Sequence, residues 1–408
     1  MLVFRRSRRA VGFVMRAARC AVLPALTCVS VAHAGPASAS DPILQTEEND
    51  IATLPAIGPH VVFIEDPVYR HAKDGRVLIV DADQGRLLGM VQAAYNANFV
   101  AERATGAIHV AETTWAHGNR GKRYDLLAGY DPKALTVTTD IELPGRALVT
   151  PKKPNMALSA NDSRIYIGDM SPTNGVHVLE AKTGKLLGTI DTPGCALVYP
   201  WGGTGFSSVC ADGSLVNVDS ADVAKPAVTH TPSFFAPDRD PVFEHSPEVA
   251  ADGHVPFISF SGLVYDAALG GTPTIAAPWS IEQAAGMKPA SDSRAPFEVT
   301  WRPGGWQLAA LHRADNTLYV LMHKGTFWTH KDSGTEIWVF DLHAHKLLRR
   351  LHLARPSAMV GVTQDSKPLL FTTDDDGDLF IADAQTGQVK RTMKHLGDSL
   401  VFTVAGGE

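Results

Sequence analysis

The residues best equipped for chemistry or recognition gather late in the chain. Trp301, Arg302 and Trp306, then His312 and Arg313, then His330 and Lys331, bring aromatic faces and cations into one loop system. Tryptophan and arginine dominate the energetics of protein contacts, and a cation over an indole face is attracted by the ring itself. The set reads either as a partner interface or as a connection between strands held by stacking. The sixteen histidines are otherwise scattered, and a lone histidine is more often a hydrogen-bonded structural group than a ligand, so none is assigned to catalysis. The acidic run from Asp374 to Asp378 resembles a calcium loop, but its twelfth position is Gln385 where such a loop needs Glu. Asp and Gly are also what a tight turn demands, and a hairpin turn is the expectation there. No Gly-rich phosphate loop, Gly-x-Ser-x-Gly elbow or His-Glu-x-x-His pair is present.

Four cysteines occur, at 20, 28, 195 and 210. The first two fall in a segment built like a secretory leader: arginines between Arg5 and Arg19, an apolar run over residues 20–31, then Ala32-His33-Ala34. The run is shorter than the roughly 20 residues that span a bilayer, so a cleaved leader over 1–34 is expected, and with it export. The Arg8-Arg9 pair leaves the export route open. The mature chain keeps Cys195 and Cys210, which suggests one disulfide in an oxidising compartment, the alternative being two buried thiols. Two cysteines without neighbouring ligands do not make a tetrahedral metal set, and no metal site is expected.

The composition, with 45% hydrophobic and 20% charged residues, can fill a large core. A net charge of -6 without like-sign blocks gives no footprint for nucleic acid. The elements that must hold these residues repeat. A short β-branched strand ends at an acid and a turn follows, with acids at Asp81, Asp131, Glu180, Asp219, Asp266, Asp341 and Asp383, spaced by 50, 49, 39, 47, 75 and 42 residues. Spacings of this size fit four-stranded blades that bury their faces against neighbours. Amphipathic helical patterns are absent after residue 40. The expectation is an all-β, seven-bladed β-propeller over 56–408, with an insertion near 273–300 filling the long gap and an N-terminal arm over 35–55. Both chain ends, near residues 60–65 and 399–404, supply strands to close the ring.

At the tryptophan cluster the chain resembles a known family. Residues 301–307, Leu311-His312-Arg313 and Thr329-His330-Lys331 are similar to the large, or heavy, subunit of the tryptophan tryptophylquinone-dependent amine dehydrogenases, and residues 85–90, 120–125, 140–144 and 364–370 agree. The resemblance runs from about residue 60 to 405 and implies a seven-bladed propeller in an exported, periplasmic enzyme. It implies oxidative deamination of a primary amine to an aldehyde and ammonia, with the quinone and catalytic base on a small light chain. Two large and two small chains would assemble, and a cupredoxin would accept the electrons. The resemblance places Tyr95 at the entrance to the quinone and Asn96 beside it, and it matches Cys195 and Cys210 to the family's large-chain disulfide. Residues 278–280, 320–323 and 336–339 lean toward the aromatic-amine branch over the methylamine branch. The alternatives are a stand-alone periplasmic binding or scaffold propeller and a self-contained propeller hydrolase.

Overall fold

The computed structural model describes residues 52–245 and 253–407. The expected leader and most of the expected arm lie outside these residues. Antiparallel strands dominate, and the one α-helix among the described residues is a single turn, Ile281–Ala284. No helix among them is long and apolar enough to cross a membrane.

The last strand of each ladder is the most exposed. Arg164–Asp169 and Gly175–Glu180 are mostly buried, while Leu186–Asp191 at the ladder's edge alternates with solvent. Ala227–His230 and Val389–Met393 are exposed almost throughout. The last strands therefore form an exposed rim. No ladder buries both faces alone: Tyr166 and Val178 pack with Phe206 and Val218 of the next, and Leu321 and Val339 with Leu370 and Ala382. The series returns on itself, because Val62 and Leu78 pack with Phe371 and Ile381. This is a β-propeller, a ring that leaves only short edges open.

Hydrogen bonding closes the same ring. The strand Val61–Asp66 pairs with Phe402–Ala405, with Val62 opposite Ala405 and Glu65 opposite Phe402. One strand, Arg86–Ala101, serves two ladders: its residues up to Ala94 pair with Gly75–Asp81, and those from Tyr95 onward pair with Ile108–Trp115.

The recurring acids have a physical role. The carboxylates of Asp81, Asp131, Asp219, Asp341 and Asp383 accept the backbone N–H of Gln84, Ala134, Ala221, Ala344 and Thr386 at 2.7–3.0 Å, capping the turn after each strand. Glu180 does so through the Thr183 hydroxyl at 2.5 Å. Gly85, Gly184 and Gly387 take left-handed φ of 63°, 69° and 72° in these turns, where a side chain would be strained. Asp266 differs: it lies inside the strand Leu263–Ala268 and contacts His254 Nδ1 at 3.0 Å. The run Asp374 to Asp378 forms a turn, with Asp374 Oδ1 accepting from the N–H groups of Asp376 and Asp378. In the long gap, residues 273–300 hold two short strands, the helical turn and an extended coil.

Candidate functional site

Tyr95 and Asn96 sit where the strand Arg86–Ala101 leaves one ladder for the next. The register is irregular between Tyr95 and Asn98, and the flanking Ala94 and Asn96 adopt φ of 40° and 43°. An alanine holds such an angle at a cost, whereas an asparagine tolerates it. The Tyr95 ring stands edge-on to Trp115 with centroids 5.4 Å apart. A cleft of about 520 Å³ opens beside them, lined by Lys73, Asp74, Gln92, Ala94, Thr113 and Trp115 among others. The Lys73 ammonium lies 3.8 Å above the Trp115 ring, so this aromatic wall already accepts an alkylammonium.

Behind the loop stands Arg146, buried in the protein. Its Nη2 donates to the carbonyl oxygens of both Tyr95 and Asn96 at 2.7 Å, and its Nε to Thr113 Oγ1 at 2.9 Å. Thr113 in turn donates to Asp125 at 2.6 Å. Burial lowers the Arg146 pKa to about 10 against the opposing pull of Asp125 and more distant carboxyls. Two of those are Glu65 and Glu112. Strand alternation puts Glu65 on the face of Val61 and Phe63, and Glu112 on the face of Ile108 and Val110, the two faces that pack together as one core. Burial first, then repulsion from Asp66, pushes the Glu65 carboxyl well above its ordinary range, and neither oxygen has a hydrogen-bond partner among the described residues. Burial followed by Asp140 raises Glu112 to about 7. Nothing in the sequence flagged Arg146, which follows Pro144-Gly145 in an irregular stretch. The two glutamates could have been found, because each interrupts the apolar face of its own strand.

The seven residues of the late cluster do not form one patch. Trp301 packs against Trp338 at 5.4 Å, and Arg302 is buried with Nη1 donating to Ser291 O at 2.8 Å. His330 stacks on Phe260 at 4.0 Å. Trp306 points elsewhere, toward Pro151 and His245. His312 is buried between Asp315 and the Asp365 carbonyl, and Arg313 reaches Gly407 O at 3.0 Å. Lys331 is exposed. Beside this region stand large apolar side chains that sequence reasoning did not single out: Phe297, Val299 and Trp328, exposed to 85%, 68% and 60%. Cys195 and Cys210 lie opposite each other on neighbouring strands and form a disulfide with Cα atoms 3.9 Å apart.

The family model described as methylamine dehydrogenase heavy chain (MADH) matches residues 59–405. The chain belongs to the methylamine dehydrogenase heavy chain family. It is 28% identical over 370 residues to the methylamine dehydrogenase heavy chain of Methylophilus methylotrophus, covering 87% of this chain and 86% of that one. To the heavy chain of Paracoccus versutus it is 29% identical over 357 residues, covering 86% and 81%. Among solved structures, this heavy-chain family member is similar to the dihydro-heme d1 dehydrogenase NirN, with TM-score 0.53, 14% identity and 87% and 78% of the two chains covered. It is also similar to the Cps50 (Swd1) β-propeller domain of Myceliophteria thermophila, with TM-score 0.50, 9% identity and 83% and 94% coverage. At these identities the structural matches speak to the fold alone.

The quinone named by the resemblance is built from two tryptophans, and this chain does not fit it. Among the described residues the tryptophan rings in contact are Trp301 and Trp338, and Trp338 is fully buried with its indole N–H bonded to Glu336 Oε2 at 2.7 Å. That is a packing arrangement in which Trp338 has no access to a substrate, and no group of three metal-ligating side chains occurs among the described residues.

Proposed function

We propose that this chain is the non-catalytic heavy subunit of an exported, periplasmic amine dehydrogenase that oxidises a primary amine, with water, to an aldehyde and ammonia. The family match over residues 59–405 carries this reading. The two electrons and two protons released would leave through a tryptophan tryptophylquinone on a small light chain, and from there the electrons would pass to a cupredoxin. Two heavy and two light chains would form the assembly, around propellers of seven blades. What supports that count is the set of seven hydrophobic clusters, each shared between successive ladders.

In this reading Tyr95 and Asn96 border the amine's path. The aromatic wall of Tyr95 and Trp115 beside an open cleft supports it, since such a wall suits an organic ammonium. It also favours aromatic amines over methylamine, which is too small to use two rings. The light chain is proposed to contact the exposed apolar group of Phe297, Val299 and Trp328 together with Lys331. Arg302 and His330 shape the surrounding loops from within, while Trp306, His312 and Arg313 serve other parts of the ring.

The test is purification of the tagged chain from the periplasm of its own host grown on a primary amine. A stoichiometric small subunit, with a visible absorption band that bleaches when amine is added, is the expected result. A colourless chain recovered alone from cells actively oxidising amine would make it a free-standing propeller instead.

A further inference from the structure

We infer that Arg146 is a positioning residue for amine selectivity, acting by clamping the main chain that presents Tyr95; the inference rests on Tyr95 bordering the amine's path. The geometry is specific. One Nη2 atom bridges two successive carbonyl oxygens at 2.7 Å, while Nε of the same plane holds Thr113, the residue opposite Tyr95 in the ladder. A guanidinium can satisfy this fork because its donors are fixed relative to one another. The clamped segment carries a left-handed Ala94, a costly conformation for alanine that relaxes unless it is held, next to Asn96, which tolerates it. Ala94, Thr113 and Trp115 line the cleft, so relaxation there moves the cleft wall as well as the Tyr95 ring.

Arg146 has its own supports. Thr113 is fixed by Asp125, which Arg123 grips at 3.0 and 2.6 Å. Glu65 and Glu112 favour the charged guanidinium electrostatically, and Arg123 opposes it. The clamp therefore ties the loop to two ladders at once, and it lies behind the backbone where no substrate would touch it.

The experiment uses the full chain in complex with its light chain. Arg146→Gln removes the fork, and Arg146→Lys keeps the charge but offers a compact donor that cannot hold both carbonyls and Thr113 together. Hydrogen–deuterium exchange over residues 92–99 reads the clamp directly, and kcat/KM for a small aliphatic and a bulky aromatic primary amine reads selectivity. The expected result is exchange faster by about tenfold in that segment alone, with the ratio of the two kcat/KM values shifted by roughly tenfold. If the Gln variant does not fold, the Lys variant carries both readouts. Unchanged exchange, or faster exchange with an unmoved ratio, overturns the inference. Tyr95→Ala separates the two levels: if it shifts the ratio while the Arg146 variants do not, the inference fails and the path reading stands. If Tyr95→Ala also leaves the ratio unmoved, the path reading fails and takes the inference with it.

Discussion

The indole N–H of Trp306 donates to the carbonyl oxygen of Pro151 at 3.2 Å, joining segments 155 residues apart that belong to ladders not adjacent in the ring. The ring of His245 lies 5.3 Å away, and burial holds its pKa down at about 3, so it packs as a neutral aromatic. Trp306→Phe keeps most of the ring and should cost about 1 kcal/mol for the lost hydrogen bond. Trp306→Ala should cost about 2–3 kcal/mol, less than for a fully enclosed indole. Denaturant unfolding of the two variants checks this, and equal stability in both would show that the side chain bridges nothing.

Glu112 should make stability fall as pH rises from acid to neutral. Its carboxyl sits at about 7 in the folded protein against an ordinary value of 4.5. A raised value means that the folded state holds the proton more tightly, so the contribution is complete below 4.5 and is lost as pH rises through 7. The full effect is on the order of a few kcal/mol. Glu112→Gln, which cannot ionise, should show a flatter stability profile between pH 4.5 and 7 than the parent; parallel profiles would remove Glu112 as the source.

Asp383 works in the opposite direction. Hydrogen bonding from Lys390, then from the turn N–H of Thr386, holds its carboxyl at about 2, below the ordinary 3.8. Its contribution is present above 3.8 and fades as pH falls through 2. Because the side chain is about a third exposed, solvent screening limits it to below about 1 kcal/mol. Asp383→Asn should lower stability at pH 6 and converge with the parent near pH 2. A constant gap down to pH 2 would mean that the turn is held by something other than the charge.

The disulfide closes a short segment, with the two cysteines 15 residues apart. Chain-entropy arguments value a loop of that size at about 3 kcal/mol. A Cys195→Ser/Cys210→Ser double variant should lose about that much by denaturant unfolding, and reductant should bring the parent to the same midpoint. A parent insensitive to reductant, with the bridge shown by mass to be open, would contradict the estimate.

Strand content and the recurring acid were legible because they have local causes. A short β-branched run makes a strand buried along nearly its whole length, and a carboxylate at its end caps the turn, as at Asp81 and Asp383. Asp266 shares the spacing without the cap, since the chain continues as strand past it. The tryptophan-rich cluster misled as a unit because neighbours in sequence were sent to different surroundings: Arg302 inward to Ser291, Trp306 across to Pro151, His312 to Asp365. Arg146 was illegible for the same reason, because its partners Tyr95 and Asn96 lie about fifty residues upstream. The extended family resemblance supplied the overall identity where no single motif could.

The pairing of Val62 with Ala405 has a consequence for how the molecule comes into being. The strand Val61–Asp66 is made with one edge bare, and its partner is made 343 residues later. Entropic resistance to joining chain ends grows only with the logarithm of their separation, so the final seam is thermodynamically affordable but kinetically late. Until it forms, the exposed edge of Val61–Asp66 can accept a strand from another copy. Damage to Phe402–Ala405 should therefore show first as aggregation during biogenesis, before any loss of amine turnover in the molecules that do close.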